Sequence, residues 1–138
     1  MLTVGDEFPQ FSVQACTGTE KEDIKLLTSA DYSGKWTVFF FYPKDFTFVC
    51  PTELAEFNKQ LKSFSDRDTS VVGGSTDNEW CHMMWRRSHA DLKDLAYPLI
   101  AAQKLGSELG ILEQTEGYCQ RATSVSYTHL TLPTNREV

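Results

Sequence analysis

Cys50 is preceded at three residues' distance by Thr47 and followed directly by Pro51, a spacing that sets a thiol where it can ionise. The thiolate is the nucleophilic form, and a free cysteine of pKa ~8.5 is only a few per cent ionised at neutral pH. Proline favours the first position of a helix, where a missing N–H is no loss. A cysteine immediately before it stands at a helix N-terminus, where unpaired N–H groups and the positive end of the helix dipole favour an anion. The Thr47 hydroxyl can donate to the sulfur or to a bound oxygen. The competing reading is a small cysteine that merely packs, the commoner fate of free thiols. The strand, loop and helix around Cys50 and its threonine and proline neighbours favour the reactive one.

Those elements are legible nearby. The apolar run from Trp36 to Tyr42 reads as a strand buried on both faces, the usual state of a central strand in an α/β sheet. Pro43 ends it. From Pro51, the residues Leu54, Phe57, Leu61 and Phe64 recur at helical spacing with polar residues between them, predicting one helix to about Phe64. Ser65 to Asp68 reads as a charged loop, and Thr69 to Ser75 as a second buried strand whose Gly73 and Gly74 allow close approach of another backbone. Thr76, Asp77 and Asn78 supply capping residues for a helix from Glu79 to Leu92, with Trp80, Met83, Met84 and Trp85 as its apolar stripe.

The segment Pro43-Lys44-Asp45-Phe46-Thr47-Phe48-Val49-Cys50-Pro51-Thr52-Glu53 matches a Pro-x-x-x-Thr-x-x-Cys signature. It resembles the alkyl hydroperoxide reductase C group of two-cysteine peroxiredoxins, and the resemblance runs from about Val4 to Thr123. It implies a thioredoxin-like α/β fold with a mixed sheet, and a thiol-dependent peroxidase acting on hydrogen peroxide and organic hydroperoxides. It casts Cys50 as the peroxidatic cysteine that cycles through sulfenic acid, Thr47 as a peroxide-binding hydroxyl and Pro43 as a shield for the sulfur. Arg121, in Arg121-Ala122-Thr123, takes the place of the family's active-site arginine, whose fixed N–H donors would hold the thiolate. Glu53 would anchor that arginine, and Trp85 aligns with a tryptophan of the active-site wall. The family requires no metal or organic cofactor. Thioredoxin or a dedicated disulfide reductase returns the enzyme to its thiol form, and the complete family forms homodimers or rings of dimers.

Composition agrees with one ordinary domain: 138 residues, 41% of them hydrophobic, with a net charge of −6. The negative charge speaks against a nucleic-acid partner. No apolar run approaches the ~20 residues of a membrane span, and the first residues lack a basic and apolar leader, so a cytoplasmic location is the expectation. Cys16, Cys50, Cys81 and Cys119 form no Cys-x-x-Cys pair, and Cys81, His82 and His89 fit no zinc spacing.

The rest of the chain alternates short strands and helices. Val4 to Val13 predicts a short edge strand or extended arm, and Ile24 to Leu27 a short strand. Tyr97 to Ile100 reads as extended, Lys104 to Leu109 as a brief helix capped by Gly110, Glu113 to Gly117 as a polar turn, and Tyr118 to Val125 as the start of a strand. After Thr123 the sequence departs from the family and resembles a vector- or frameshift-derived tail. The expected organisation is therefore a truncated peroxiredoxin domain over 1–123 and a non-family tail over 124–138, in which Val125 and Tyr127 can imitate part of a strand and Pro133 to Val138 is loose. None of Cys16, Cys81 and Cys119 matches the family's resolving cysteine. A peroxide-sensing or holdase-type protein, or an inactive fragment, are the alternative functions.

Overall fold

The computed structural model describes residues 5–47 and 50–127. Val4 at the start of the expected arm, Phe48 and Val49 of the cysteine motif, and the expected loose terminus from Pro133 lie outside the described residues.

Among the described residues, six strands form one mixed sheet in the order β2-β1-β5-β4-β3-β6. They are β1 (Ser12–Cys16), β2 (Ile24–Thr28), β3 (Trp36–Phe41), β4 (Thr69–Ser75), β5 (Leu99–Ala101) and β6 (Ala122–Tyr127). The helices are α1 (Cys50–Lys59), α2 (Leu61–Ser65), α3 (Glu79–Ser88) and α4 (Gln103–Leu109). Strands β3, β4 and β5 run parallel to one another. Strand β1 pairs antiparallel with both β2 and β5, and β6 antiparallel with β3.

Strand β3 shows why its sequence is almost wholly apolar. Successive side chains point to opposite faces of a sheet, and here both faces are covered. Val38, Phe40 and Tyr42 join Leu54, Val71, Trp85, Leu92, Leu95, Tyr97 and Leu99 in one core. Phe39 and Phe41 join Val72, Ile100, Leu105, Leu109, Ile111 and Phe8 in the other. Helices α1 to α3 cover the first face and α4 the second. Burial on both faces begins only at Thr37, because Trp36 is 39% exposed at the start of the strand. Its ring lies 4.9 Å from Tyr127 of β6, the residue opposite it in the register.

Gly73 makes room for side chains, and Gly74 for a side chain and for the Ile100 carbonyl oxygen, 3.3 Å from where a Cβ would stand. A Cβ on Gly73 would stand 2.7 Å from Phe40 Cζ and 2.9 Å from Leu99 Cδ2, and one on Gly74 would stand 2.8 Å from Ile100 Cγ1. The absent side chains on β4 make room for the large ones on its two neighbours.

Several expected boundaries move. The arm over 4–13 is instead a strand over 12–16, and β2, not β1, is the edge. The single helix to Phe64 breaks at Gln60, whose backbone (φ −91°, ψ 3°) leaves the helical region. The apolar stripe survives the break: Phe57 stacks on Phe40 at 4.1 Å, and Phe64 lies 6.2 Å from Phe57. Helix α3 begins under the Asn78 side chain, which accepts from the Cys81 N–H at 2.8 Å. It stops at Ser88 because His89 is extended (φ −110°, ψ 122°), short of Leu92. The strand expected from Tyr118 begins at Ala122. Cys119 is used instead in an antiparallel bridge to Leu112, closed by the 113–117 turn in which Gly117 has φ 76°. Strand β6 runs through position 123, with Val125 against the first core and Ser126 opposite Thr37.

Candidate active site

The parallel strands β3 and β4 end at the same edge of the sheet. In open α/β sheets this is where ligands bind. The last ladder bond from β3 to β4 is the Tyr42 N–H donating to Gly74 O at 3.0 Å. Beyond it the chain leaves the sheet through Pro43, Lys44, Asp45, Phe46 and Thr47 and returns as α1, whose first residue is Cys50. Helix α1 therefore begins one residue before Pro51, with Cys50 in its first turn. Glu53, also in that turn, adds a carboxylate where the helix dipole favours one.

The exit loop is held firmly. The Asp45 carboxylate accepts from the Tyr42 hydroxyl at 2.6 Å, and its Oδ2 lies 2.6 Å from His82 Nδ1. Both side chains of this pair are fully buried. His82 Nε2 donates to Ile100 O at 2.9 Å, since a carbonyl only accepts. The Asp45 N–H donates to Asp77 Oδ2 at 2.7 Å, and the Ser75 hydroxyl donates to the same oxygen at 2.8 Å. Burial first, and the neighbouring Asp45 charge second, push the Tyr42 hydroxyl well above its usual range, so it remains a donor to Asp45.

Phe46 follows in the left-handed region (φ 59°). A bulky residue pays for that conformation and holds it only where its surroundings fix it. Its ring, 57% exposed, lies 6.1 Å from Trp85. The turn brings the Thr47 hydroxyl to within 3.3 Å of Lys44 O, to which it donates. To donate to a bound oxygen, the hydroxyl must rotate off that carbonyl.

On the opposite side, register sets Ala122 of β6 level with Phe41 of β3. Arg121 thus stands at the point where the chain leaves β3. Its Nε donates to Glu53 Oε1 at 2.7 Å, with the arginine side chain 48% and the glutamate 33% exposed. A pair this open to water adds little to stability. Its use is orientational, since it ties the guanidinium to the first turn of the helix that Cys50 opens.

Of the residues singled out from sequence, Pro43 is half-buried at the head of the loop, and Thr47, Glu53 and Arg121 surround the start of α1. Trp85 is buried, with its ring 5.7 Å from Tyr42 and 6.1 Å from Phe46. It lines a pocket of about 340 Å³ together with Phe46, Thr47, Pro51, Thr52 and His89. Ser88 and Asp91 complete its lining.

Sequence reasoning passed over the polar network beneath the loop. Asp45 stood inside the motif and Asp77 was read only as a capping residue. The trace they left is a helical one: His82, Trp85 and Arg86 recur at i, i+3 and i+4, the spacing of a buried face. The expected stripe is corrected accordingly. Trp80 and Met84 are 51% and 44% exposed, while His82 and Arg86 are fully buried. Arg86 spends its guanidinium on backbone carbonyls, donating to Cys16 O at 2.8 Å and to Leu95 O at 2.5 Å.

The other thiols are unlike a nucleophile. Cys16 and Cys119 are buried. Burial pushes Cys119 up to about 12. Cys81 is also pushed up to about 12, by desolvation first and then by the charges of Asp45 and Asp77. Burial likewise raises Cys16.

The family described as "AhpC/TSA family" matches residues 4–130 of the chain. The alkyl hydroperoxide reductase C of Mycolicibacterium smegmatis is 45% identical over 136 residues, taking in 91% of this chain and 69% of that protein. Fasciola hepatica thioredoxin peroxidase is 38% identical, across 88% of this chain and 63% of its own. Among solved structures, Mycobacterium tuberculosis AhpC superposes with a TM-score of 0.86 at 37% identity, covering 99% of this chain and 80% of that one. Enterococcus faecalis AhpC gives a TM-score of 0.88 at 27% identity, with 99% and 78% covered.

Proposed function

Since the chain belongs to the AhpC/TSA family, we propose that it reduces hydrogen peroxide and organic hydroperoxides with Cys50 as the nucleophile. What supports this reading is that Cys50 is the first residue of α1 and that Glu53, in the same first turn, holds Arg121.

The Cys50 thiolate attacks the distal oxygen of the peroxide, an S–O bond forms and the O–O bond breaks. The departing oxygen takes a proton and leaves as water or alcohol, and Cys50 becomes a sulfenic acid. Two electrons pass from sulfur to peroxide. Arg121 supplies fixed positive charge and planar N–H donors for the thiolate and for charge developing on the peroxide oxygens. The Thr47 hydroxyl and the N–H groups of the first turn of α1 orient the peroxide. Pro43 limits the approach of water, Glu53 aims the guanidinium, and Trp85 forms the pocket wall. A thiol of a reductant of the thioredoxin or dedicated disulfide reductase type then condenses with the sulfenic acid, releasing water and leaving a mixed disulfide; the reductant's second thiol attacks that bond, frees Cys50 as thiolate and leaves the reductant as its own disulfide.

One experiment tests this directly. The protein is treated with less than one equivalent of hydroperoxide, sulfenic acid is trapped with a dimedone-type reagent, and the adduct is mapped by mass spectrometry. One adduct per chain, at Cys50, is the expected result. Adducts at Cys16, Cys81 or Cys119 with Cys50 left as thiol overturn it.

A further inference from the structure

We propose that Asp77 is a positioning residue of peroxide reduction, acting through the backbone of Asp45 to fix the turn on which Thr47 stands. The inference rests on the peroxidase reading above. Among the described residues, no ladder bond between β3 and β4 follows the one from Tyr42 N–H to Gly74 O. The next backbone donor with a partner across the strand ends is the Asp45 N–H, and that partner is the Asp77 carboxylate at 2.7 Å. Asp77 thus continues, through a side chain, the register that the β3–β4 ladder has set up to Tyr42.

Asp77 is itself fixed. Ser75, fully buried at the end of β4, donates its hydroxyl to Asp77 Oδ2 at 2.8 Å and accepts from the Asp77 N–H at 3.1 Å. The bond from an amide to an ionised acceptor is the stronger kind. The Asp45 side chain provides the second anchor, drawn into the core by Tyr42 and His82. Between these anchors and Thr47 lies Phe46 with its left-handed backbone, a conformation that relaxes when a neighbour is released. The Asp45 side chain remains buried without Asp77, so the loop stays on the protein. What changes is the placement of the following residue.

The test compares Asp77→Ala with Asp77→Asn in the full chain. The second-order rate of Cys50 oxidation by hydrogen peroxide is set beside the rate of Cys50 alkylation by iodoacetamide, which needs a thiolate but no oriented peroxide. Asp77→Ala should lower the peroxide rate about 10- to 100-fold, the scale of a misplacement of an ångström or so. Its alkylation rate should stay within about threefold of the parent. Asp77→Asn should recover most of the peroxide rate, because its amide oxygen, set where Oδ2 stands, accepts from both the Asp45 N–H and the Ser75 hydroxyl. Should Asp77→Ala fail to fold, Ser75→Ala makes the same comparison, with a peroxide-selective loss of about 3- to 10-fold expected from a loosened carboxylate. A peroxide rate equal to the parent's, or losses that are alike for Ala and Asn and alike for both reagents, overturn the inference. A parent chain whose Cys50 ignores peroxide overturns the peroxidase reading and takes this inference with it. A reactive parent with an unaffected Asp77→Ala overturns this inference alone.

Discussion

Replacing Cys50 with serine should remove nearly all thiol reactivity toward peroxide, even though three thiols remain. The structure sets the size of the effect. Cys81 is the critical competitor because it is partly exposed, so access alone does not protect it. Its thiol is held up at about 12, first by desolvation and then by Asp45 and Asp77. At pH 7 its thiolate fraction is ~10⁻⁵, against ~3% for an ordinary cysteine of pKa ~8.5, a deficit of ~3.5 orders of magnitude. A more basic thiolate is intrinsically more nucleophilic, and a Brønsted slope of ~0.45 returns ~1.6 of those orders. The net disadvantage is therefore ~10²-fold, and Cys119, with the same value and no exposure, is slower again. The assay is stopped-flow consumption of hydrogen peroxide by the reduced parent and by Cys50→Ser at pH 7, followed by residue-resolved thiol counting. Cys50→Ser retaining more than ~10% of the parent rate would refute the reasoning, as would peroxide-dependent loss of Cys81 comparable to that of Cys50 in the parent.

Two further outcomes are expected. Arg121→Ala should raise the pH midpoint of Cys50 alkylation by ~1 pH unit, the lower end of the usual range for an adjacent opposite charge, because the guanidinium is half open to solvent; identical midpoints for parent and variant would remove Arg121 from its electrostatic role. Gly73→Ala forces a Cβ to within 2.7 Å of Phe40 and 2.9 Å of Leu99, and should lower stability in urea by about 1–3 kcal/mol through overpacking; a midpoint unchanged from the parent would show that the two side chains can move aside.

The amino-acid sequence determined the parts of this protein that rest on local spacing. A seven-residue apolar run has only one home in a small α/β domain, between two covered faces, and β3 is there from Thr37 onward. Proline after cysteine marks a helix start, and α1 begins at Cys50. Gly110 caps α4 with φ 74°, a conformation that glycine takes without strain. Local patterns failed where a helix or strand had to satisfy several neighbours at once. Periodicity alone set Trp80 and Met84 on the inner face of α3. The fold turned that helix so that His82 could reach Asp45 and Ile100, and Arg86 the carbonyls of Cys16 and Leu95. Those partners are 9 to 70 residues away in sequence, and a buried polar group is stable only beside partners that the chain supplies in three dimensions. The same holds for the site. Cys50, Thr47 and Pro43 announce themselves within eight residues, whereas the Arg121–Glu53 contact spans 68 positions and exists because β6 pairs antiparallel with β3. The hold of Asp77 on the Thr47 loop depends likewise on β3 and β4 ending side by side, a fact of the sheet that no stretch of sequence carries by itself.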